Sequence, residues 1–375
     1  MVPRTAARTA TVVGGGIGGL TAALALAARG TRVLAVHERA ESLRPVGSGI
    51  SLAPNALRAL DAIDPSLGKD VRARAVPQGD GGLRRPDGRW LARMDGRRLA
   101  AALGEPIVVL HRAELLDLLA DRLPGGVLRL GSAPTPEEAA EDGGPDLVVA
   151  ADGIHSAARR ALFPDHPGPR YSGFTTWRTV LPRAAAPADV PFGETWGRGA
   201  LTGVIALADG RFYLYAAALA PAGGAAPDGE RAELLRRFGD WCDPIPQLLD
   251  AAEESAITRS DVHHLIDPLP AFHSGRTALL GDAAHAMTPF QGQGACQAVE
   301  DAVVLARSST LAEYSAARLP RTTAVVRNSA RVARMVAVSG RLTAALRDLS
   351  IAATPMSVAA RAAASTVNWR PPAAG

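Results

Sequence analysis

Lysine is almost missing from this chain: it occurs once, at Lys69, among 41 basic residues. Arginine carries the positive charge instead, which reads as the codon usage of a G+C-rich genome and not as a nucleic-acid signature. The basic residues are scattered without a run, and a net charge of +4 is small for 375 residues. The pI near 9.5 is therefore a weak argument for a nucleic-acid partner. Cysteine occurs only twice, at Cys242 and Cys296. With no CxxC or Cys/His spacing there is no zinc pattern, and two distant cysteines make no disulfide framework. Two reduced thiols are expected. No uninterrupted apolar run is long enough to span a bilayer. Arg4 and Arg8 precede an apolar stretch, as in a secretion signal, but Thr11 to Ala28 is broken by glycines at 14, 15, 16, 18 and 19. That stretch reads as strand, turn and helix. A cytoplasmic protein with neither membrane nor nucleic acid as partner is expected, as a monomer or homodimer.

What is present is a large apolar inventory, 47% of the chain, enough for an extended core. Residues 10–13 read as a buried strand, Ile17 to Arg29 as an apolar helix ended by Gly30, and 32–37 as a second strand with Glu38 at its end. This βαβ start implies a parallel sheet. After a Gly/Pro-rich loop at 44–54, helices are expected near Asn55 to Leu60 and from His111 to Leu123, and a hairpin around DGRW. Residues 127–130 and 147–151 read as strands. From 171 to 217 the character changes to β-rich runs between Pro/Gly clusters, which implies an antiparallel sheet. Residues 229–250 read as helical, Thr277 to Leu280 as a core strand and Gln293 to Arg307 as a helix. Beyond 310 the chain reads as Ala/Arg-rich helices and a Pro-rich tail.

Three segments carry chemistry. Gly14-Gly15-Gly16-Ile17-Gly18-Gly19 fits GxGxxG between a strand and a helix. Its glycines permit a tight turn at Gly14, close approach of a diphosphate at Gly16 and close helix packing at Gly19, and the helix N-terminus favours an anion. Glu38 follows at roughly the twenty-residue distance from which an acid reaches an adenosine ribose. This fingerprint does not distinguish FAD from NAD. The second segment, Val148 to Ser156, delivers Asp152-Gly153 at the end of a strand, an arrangement an ordinary capped turn also explains. The third, Gly281 to Gly294 (GDAAHAMTPFQGQG), brings Asp282 to the carboxyl end of a strand, where open α/β sheets bind ligands. Gly292 and Gly294 then open a helix whose free N–H groups suit a ring that becomes anionic on reduction.

In this order and spacing the three segments resemble the group A flavoprotein monooxygenases, the family of p-hydroxybenzoate, salicylate and urate hydroxylases, over nearly the whole chain. The resemblance implies a Rossmann-like FAD-binding domain from residues 1–75, 97–170 and 262–308, an antiparallel-sheet substrate domain from 76–96 and 171–261, and C-terminal helices and tail from 309–375. It implies bound FAD, with Gly14, Gly16, Ile17 and Gly19 at the diphosphate, Glu38 and Arg39 near the ribose, and Arg112 on the cofactor. Asp152 would serve FAD and the nicotinamide donor, Gly281 and Asp282 the ribityl and diphosphate side. Pro289, Gly292, Gln293 and Gly294 would face the isoalloxazine, with Arg44 and Gly49 in the loop beside it. The family's β-meander between Leu130 and Leu147 is replaced here by a Pro/Glu/Gly loop.

With one dinucleotide fingerprint, NADPH or NADH is expected to bind transiently, reduce the flavin and leave. A flavin hydroperoxide formed from O2 would then hydroxylate an aromatic or polyketide-like substrate, or epoxidise an alkene. Trp177, Arg178, Tyr213, Tyr215 and Pro289 are the substrate-pocket candidates, with Tyr213 and Tyr215 on one face of a strand. The Trp177-Arg178 pair has two open roles, touching substrate or anchoring the sheet. His285 and Cys296 are expected to be packing residues. A plain nicotinamide dehydrogenase leaves the third segment unexplained, and a flavin halogenase lacks its WxWxIP motif. A flavin-binding protein without redox turnover is the rival from outside enzymology; substrate-dependent NAD(P)H oxidation separates the two.

Overall fold

The computed structural model describes residues 8–43, 47–139, 144–185, 190 and 192–373. A six-stranded sheet runs in the order His273–Ser274, Thr277–Leu279, Leu147–Ala150, Thr9–Val13, Arg32–His37 and Leu128–Arg129. All its neighbours are parallel except the pair His273–Ser274 and Thr277–Leu279. The central strands are buried on both faces, which is why they are short runs of Val, Ala and Leu without alternation. Helix Ile17–Ala27 packs between helices Gly294–Arg307 and Arg112–Ala120. Gly18 makes the first contact possible: a Cβ there would lie 2.7 Å from Leu280 Cδ2 and 3.2 Å from Ala298 Cβ.

A seven-stranded sheet lies beside the first, in the order Thr258–His264, Arg170–Leu181, Phe212–Leu219, Ala200–Ala206, Phe192–Trp196, Gly81–Arg84 and Trp90–Met94. The DGRW turn closes its last hairpin. Its two faces have different partners. Trp177, Leu181, Phe212 and Leu214 pack under helices Glu230–Phe238 and Ile245–Asp250. Phe174, Leu201, Ile205 and Tyr213 lie on the opposite face.

The structure departs from the sequence reading in several places, among them a short helix, Pro136–Ala139, inside the expected Pro/Glu/Gly loop. The stretch 229–250 is two helices, since Gly239 caps the first and Pro244 starts the second. The expected loop at 44–54 contains strand Gly49–Leu52, which pairs with Val108–His111 in a separate three-stranded sheet. Strand Thr258–His264, with few apolar residues, forms only because Arg170–Leu181 offers it an edge. The long helix Leu311–Val336 and helices Arg341–Ala352 and Met356–Val367 complete the C-terminal part. The tail returns to helix Pro54–Ile63, where Arg58 Nε donates to Trp369 O at 3.1 Å.

Candidate active site

The ends of three parallel strands converge on one cleft. After Thr9–Val13 the chain turns at Gly14, whose φ of +112° excludes other residues, and a Cβ there would sit 2.2 Å from Ala151 O. The fingerprint loop and the Asp152 loop are therefore in backbone contact. A Cβ on Gly19 would lie 1.9 Å from Gly14 O, so Gly19 lets the helix start directly under the turn. Gly16 differs: a Cβ there meets nothing within 4 Å, leaving its backbone open to the cleft. The amides of Gly14 and Gly15 are taken, by His37 O at 2.7 Å and Glu38 Oε2 at 2.8 Å. The N–H groups of the first helical turn, from Ile17 onward, lack intrahelical partners and remain for an anion, while the Ile17 side chain is buried in the core.

Glu38 also accepts from Ala40 N at 2.9 Å, which fixes its carboxylate at the strand end with lone pairs left for hydroxyl donors. Arg39 is exposed next to it. Asp152 Oδ2 caps Ala158 N at 3.1 Å, whereas its Oδ1 is buried without a partner, an acceptor that a ligand hydroxyl or amide would satisfy. Arg159, which the sequence reading passed over, ties this loop to the third segment: its guanidinium donates to Ile154 O at 2.6 Å and Ala283 O at 3.0 Å.

Asp282 is exposed on the cleft wall and enclosed by protein elsewhere, so desolvation raises its pKa against the pull of His285, Arg112, Arg178 and Arg159. Arg112, at the start of its helix and half-buried, is pushed down by desolvation and by Arg178, with Asp282 and Glu38 opposing. Neither Arg112 nor Arg178 has an ion pair among the described residues. Their positive charge at this end of the cleft suits a diphosphate. Pro289 and Gly292 are exposed around a 3₁₀ turn, Pro289–Gln291, before helix Gly294–Arg307. Gln293 contributes backbone only, since its side-chain oxygen accepts from Asn55 Nδ2 at 3.1 Å inside the protein. Gly281, with φ +64°, is buried and its N–H is held by Asp301 Oδ2 at 3.0 Å, so it positions Asp282 and offers no amide to the cleft. Gly49 faces the second sheet: a Cβ there would lie 2.5 Å from the Tyr213 ring. Arg44 lies outside the described residues.

Beneath the third segment is a buried ionic network. Arg318 donates to Asp301 Oδ1 at 2.6 Å and Glu300 Oε2 at 2.5 Å, Arg321 to both oxygens of Glu300, and His285 Nε2 meets Asp301 Oδ2 at 2.5 Å. Against the upward push of burial, His285 and Arg318 drive Asp301 down to about 2. His285 is thus committed to Asp301, and its ring packs beside Phe272 at 5.7 Å. Cys296 is fully buried and its thiol is pushed up to about 12. We expect thiol reagents at mildly alkaline pH to modify the folded protein at half-buried Cys242 and to reach Cys296 only after unfolding; rapid labelling of Cys296 in a native peptide map would contradict this.

The FAD binding domain family model matches residues 137–329. The chain is 39% identical to the aurachin C monooxygenase/isomerase of Stigmatella aurantiaca, over 87% of this chain and 89% of that protein. The chain belongs to the group A FAD-dependent monooxygenases. It is also 34% identical to the 3-amino-4-hydroxybenzoate 2-monooxygenase of Streptomyces cremeus, over 86% of each. The crystal structure of Klebsiella pneumoniae HpxO complexed with FAD and uric acid superposes with a TM-score of 0.86 at 28% identity, covering 96% of each chain. The open Gly16 backbone, the unpartnered Asp152 Oδ1 and the positive charge of Arg112 and Arg178 fit the FAD that this monooxygenase binds.

The substrate candidates separate. Trp177 faces the outer helices, 1% exposed, with its indole N–H donating to Glu230 Oε2 at 2.6 Å, so it anchors the sheet and lines no pocket. Arg178, one residue on, points to the other face, and its charge acts on Arg112, Asp282 and Tyr213. Tyr213 and Tyr215 lie on that same inner face with ring centroids 5.5 Å apart. Phe290, beside Pro289, meets Phe174 edge-to-face with ring centroids 5.0 Å apart and completes the apolar surroundings. The sequence reading also missed Glu194, whose oxygens accept from Tyr215 Oη and Trp196 Nε1, both at 2.7 Å. A single carboxylate in the Gly-rich run FGETW carries no motif; only the strand register reveals it.

Proposed function

We propose that this monooxygenase uses NADPH or NADH and O2 to insert one oxygen atom into an aromatic or heteroaromatic small molecule, bound between the flavin site and the inner face of the seven-stranded sheet. The observation carrying this reading is Arg178. It stands on the same sheet face as Tyr213 and Tyr215, and its charge is felt by Asp282 and Arg112 on the cofactor side. Substrate surface and cofactor surface therefore share one cleft. The sharing is close, because Gly49 of the cofactor side leaves room for the Tyr213 ring.

The residues divide the work. Gly16 and the first turn after it would take the diphosphate, with Gly14 and Gly19 shaping the turn. Glu38 would take the ribose hydroxyls. Arg112 would neutralise diphosphate charge, and Asp282 would accept from the ribityl chain. Asp152 Oδ1 would accept from cofactor or donor. Pro289 and the amides from Gly292 to Gly294 would face the ring. FAD, when bound, accepts hydride and activates oxygen. Tyr213, Tyr215, Phe174 and Phe290 supply the apolar walls that orient a planar substrate and exclude water.

The test is a screen of phenols, aminophenols and hydroxylated heteroaromatics with FAD-loaded protein under labelled O2. We expect some of them to stimulate NADPH or NADH consumption and to gain one labelled oxygen. Stimulated consumption yielding only hydrogen peroxide, with no labelled product from any compound, would overturn the reading.

A further inference from the structure

Helix Arg341–Ala352 carries its central charges inward and its leucines outward. Arg347 and Asp348 are buried and pair at 2.7 Å. Arg347 Nη1 also donates to Gly197 O at 2.9 Å, and its guanidinium lies 5.9 Å from the centre of the Trp196 ring. Leu342, Leu346 and Leu349, spaced i, i+4 and i+7 on the opposite face, are 82%, 66% and 66% exposed. Rolling the helix to bury them would pull Arg347 and Asp348 out of these contacts, so the leucines are held facing solvent. Met335 before the helix and Val358 after it are exposed as well. A contiguous apolar face of this kind marks an interaction surface.

The charge around this face is of one sign. Nine arginines and a single acid, Asp348, fall between Tyr314 and Gly375. Arg318, Arg321 and Arg347 are committed to Glu300, Asp301 and Asp348. Arg327, Arg331, Arg334, Arg341 and Arg361 are exposed and have no carboxylate partner among the described residues. The first three stand a turn apart on helix Leu311–Val336 and rim a groove of about 330 Å³ whose lining includes Phe174, Ile266, Ala330, Ala333 and Ala337. Guanidinium groups beside an apolar lining match the boundary between lipid headgroups and acyl chains. A second copy of the chain fits less well. Three leucines make a patch smaller than the roughly 800 Å² per partner of a stable protein interface. A two-fold pairing would also bring the arginines of both copies together, with no exposed acid of this segment to offset them. We propose that the C-terminal helices dock this monooxygenase on an anionic lipid bilayer, with Leu342, Leu346 and Leu349 entering the headgroup boundary and the exposed arginines holding lipid phosphates.

The docking is peripheral. Among the described residues no helix is long and apolar enough to cross a membrane, and the lack of a spanning run is why the sequence reading expected no membrane partner. A helix lying in the interface needs no such run: leucines a turn apart supply the apolar contact, and cations the attraction. Insertion of one 12-residue helix is weak alone, so the two contributions act together. Each arginine near an anionic surface strengthens binding roughly fivefold, an attraction that salt screens over about 8 Å at physiological strength. Binding therefore requires both acidic lipid and moderate salt. It does not depend on which substrate is oxygenated, and it is measured without turnover.

The test is flotation of the FAD-loaded full chain with vesicles, beside sedimentation of the protein without lipid. One set of vesicles is phosphatidylcholine alone and the other contains phosphatidylglycerol in equal parts, in about 0.1 M and about 0.5 M NaCl. Wild type should bind the acidic vesicles roughly tenfold or more tightly than the neutral ones and be released at the higher salt. Leu342→Ser, Leu346→Ser and Leu349→Ser combined should lower the affinity roughly tenfold or more. Arg331→Gln, Arg334→Gln and Arg341→Gln combined should lower it by a similar factor and flatten the salt dependence. All six side chains are exposed, so thermal melts of both variants should match wild type, and Leu346→Ser alone, with a smaller loss, serves if the triple leucine variant does not fold. Wild type that ignores the acidic vesicles would overturn the proposal. So would full binding by the leucine variant, which is adsorption of a basic protein without insertion. A lipid-free dimer that the leucine substitutions split would make this face a contact between two copies instead.

Discussion

Replacing Arg318 by Met should cost about 3–5 kcal/mol of folding stability, the range for removing one partner of a buried ion pair. Arg318 is 1% exposed and stands between Glu300 and Asp301, both fully buried, with Gln297 accepting from it as well. Methionine matches the stem but leaves two carboxylates with fewer counter-charges. Arg321 still binds Glu300, and His285 with the Gly281 amide still binds Asp301, so the fold should persist in weakened form. On a chain of this size the loss corresponds to a fall in Tm of roughly 5 °C. Adding Asp301→Asn to Arg318→Met should recover part of the loss, because it removes the carboxylate left with least compensation. The pH dependence carries the same signature. Asp301 titrates near 2 in the folded protein against an ordinary 3.8, so its contribution is complete above the higher value and disappears as pH falls through the lower one. Acid melts should show that loss in wild type and a flatter profile in Asp301→Asn. Denaturant melts placing Arg318→Met within 1 kcal/mol of wild type would show that the network does not carry this energy.

Gly16→Val should leave the apoprotein's stability within about 0.5 kcal/mol of wild type and raise the FAD dissociation constant by roughly a hundredfold or more. The two effects separate because of what surrounds this residue. Gly16 has φ −74° and ψ 179°, a conformation open to any L-residue, and a Cβ there has no neighbour within 4 Å. Nothing in the fold resists the side chain. A diphosphate, however, must come within hydrogen-bond distance of the backbone, and the valine methyl groups would occupy that space. Two lost charge-assisted hydrogen bonds at about 1.5–3 kcal/mol each account for the magnitude. Gly14→Ala is the contrasting control: its φ of +112° and the Ala151 carbonyl at 2.2 Å make it destabilising whether or not flavin is present. Equilibrium dialysis or flavin-fluorescence titration of the Gly16 variant, with a thermal melt of the apo form, provides both numbers. Unchanged flavin affinity would place the diphosphate elsewhere.

The cofactor half of this protein was legible because its chemistry is local in the chain. A turn that must admit a diphosphate needs glycine at Gly14, Gly16 and Gly19, and a strand that delivers Asp282 is followed directly by the glycines that open the next helix. Backbone conformation and helix N-termini are determined over a few residues, so the residue types show. Cys296 as a packing residue was also readable, since it sits among small apolar neighbours in a helix-forming context, whereas the pairing of His285 with Asp301 was not. The substrate half was not legible, because it is built across strands. Whether Trp177 or Arg178 faces the cleft depends on which pleat face packs under the helices of residues 230–250, and alternation alone does not say. Glu194 meets Tyr215 only because Gly203 stands between them in register, three strands contributing one residue each. The Glu300, Asp301 and Arg318 network likewise needs two helices to meet face to face. Sequence by itself determined the FAD cofactor and the parallel sheet, and it marked the loops proposed to hold that cofactor. Tertiary structure alone decided which side chains share the inner face of the seven-stranded sheet, because a strand's facing and register are properties of its neighbours and not of its own residues.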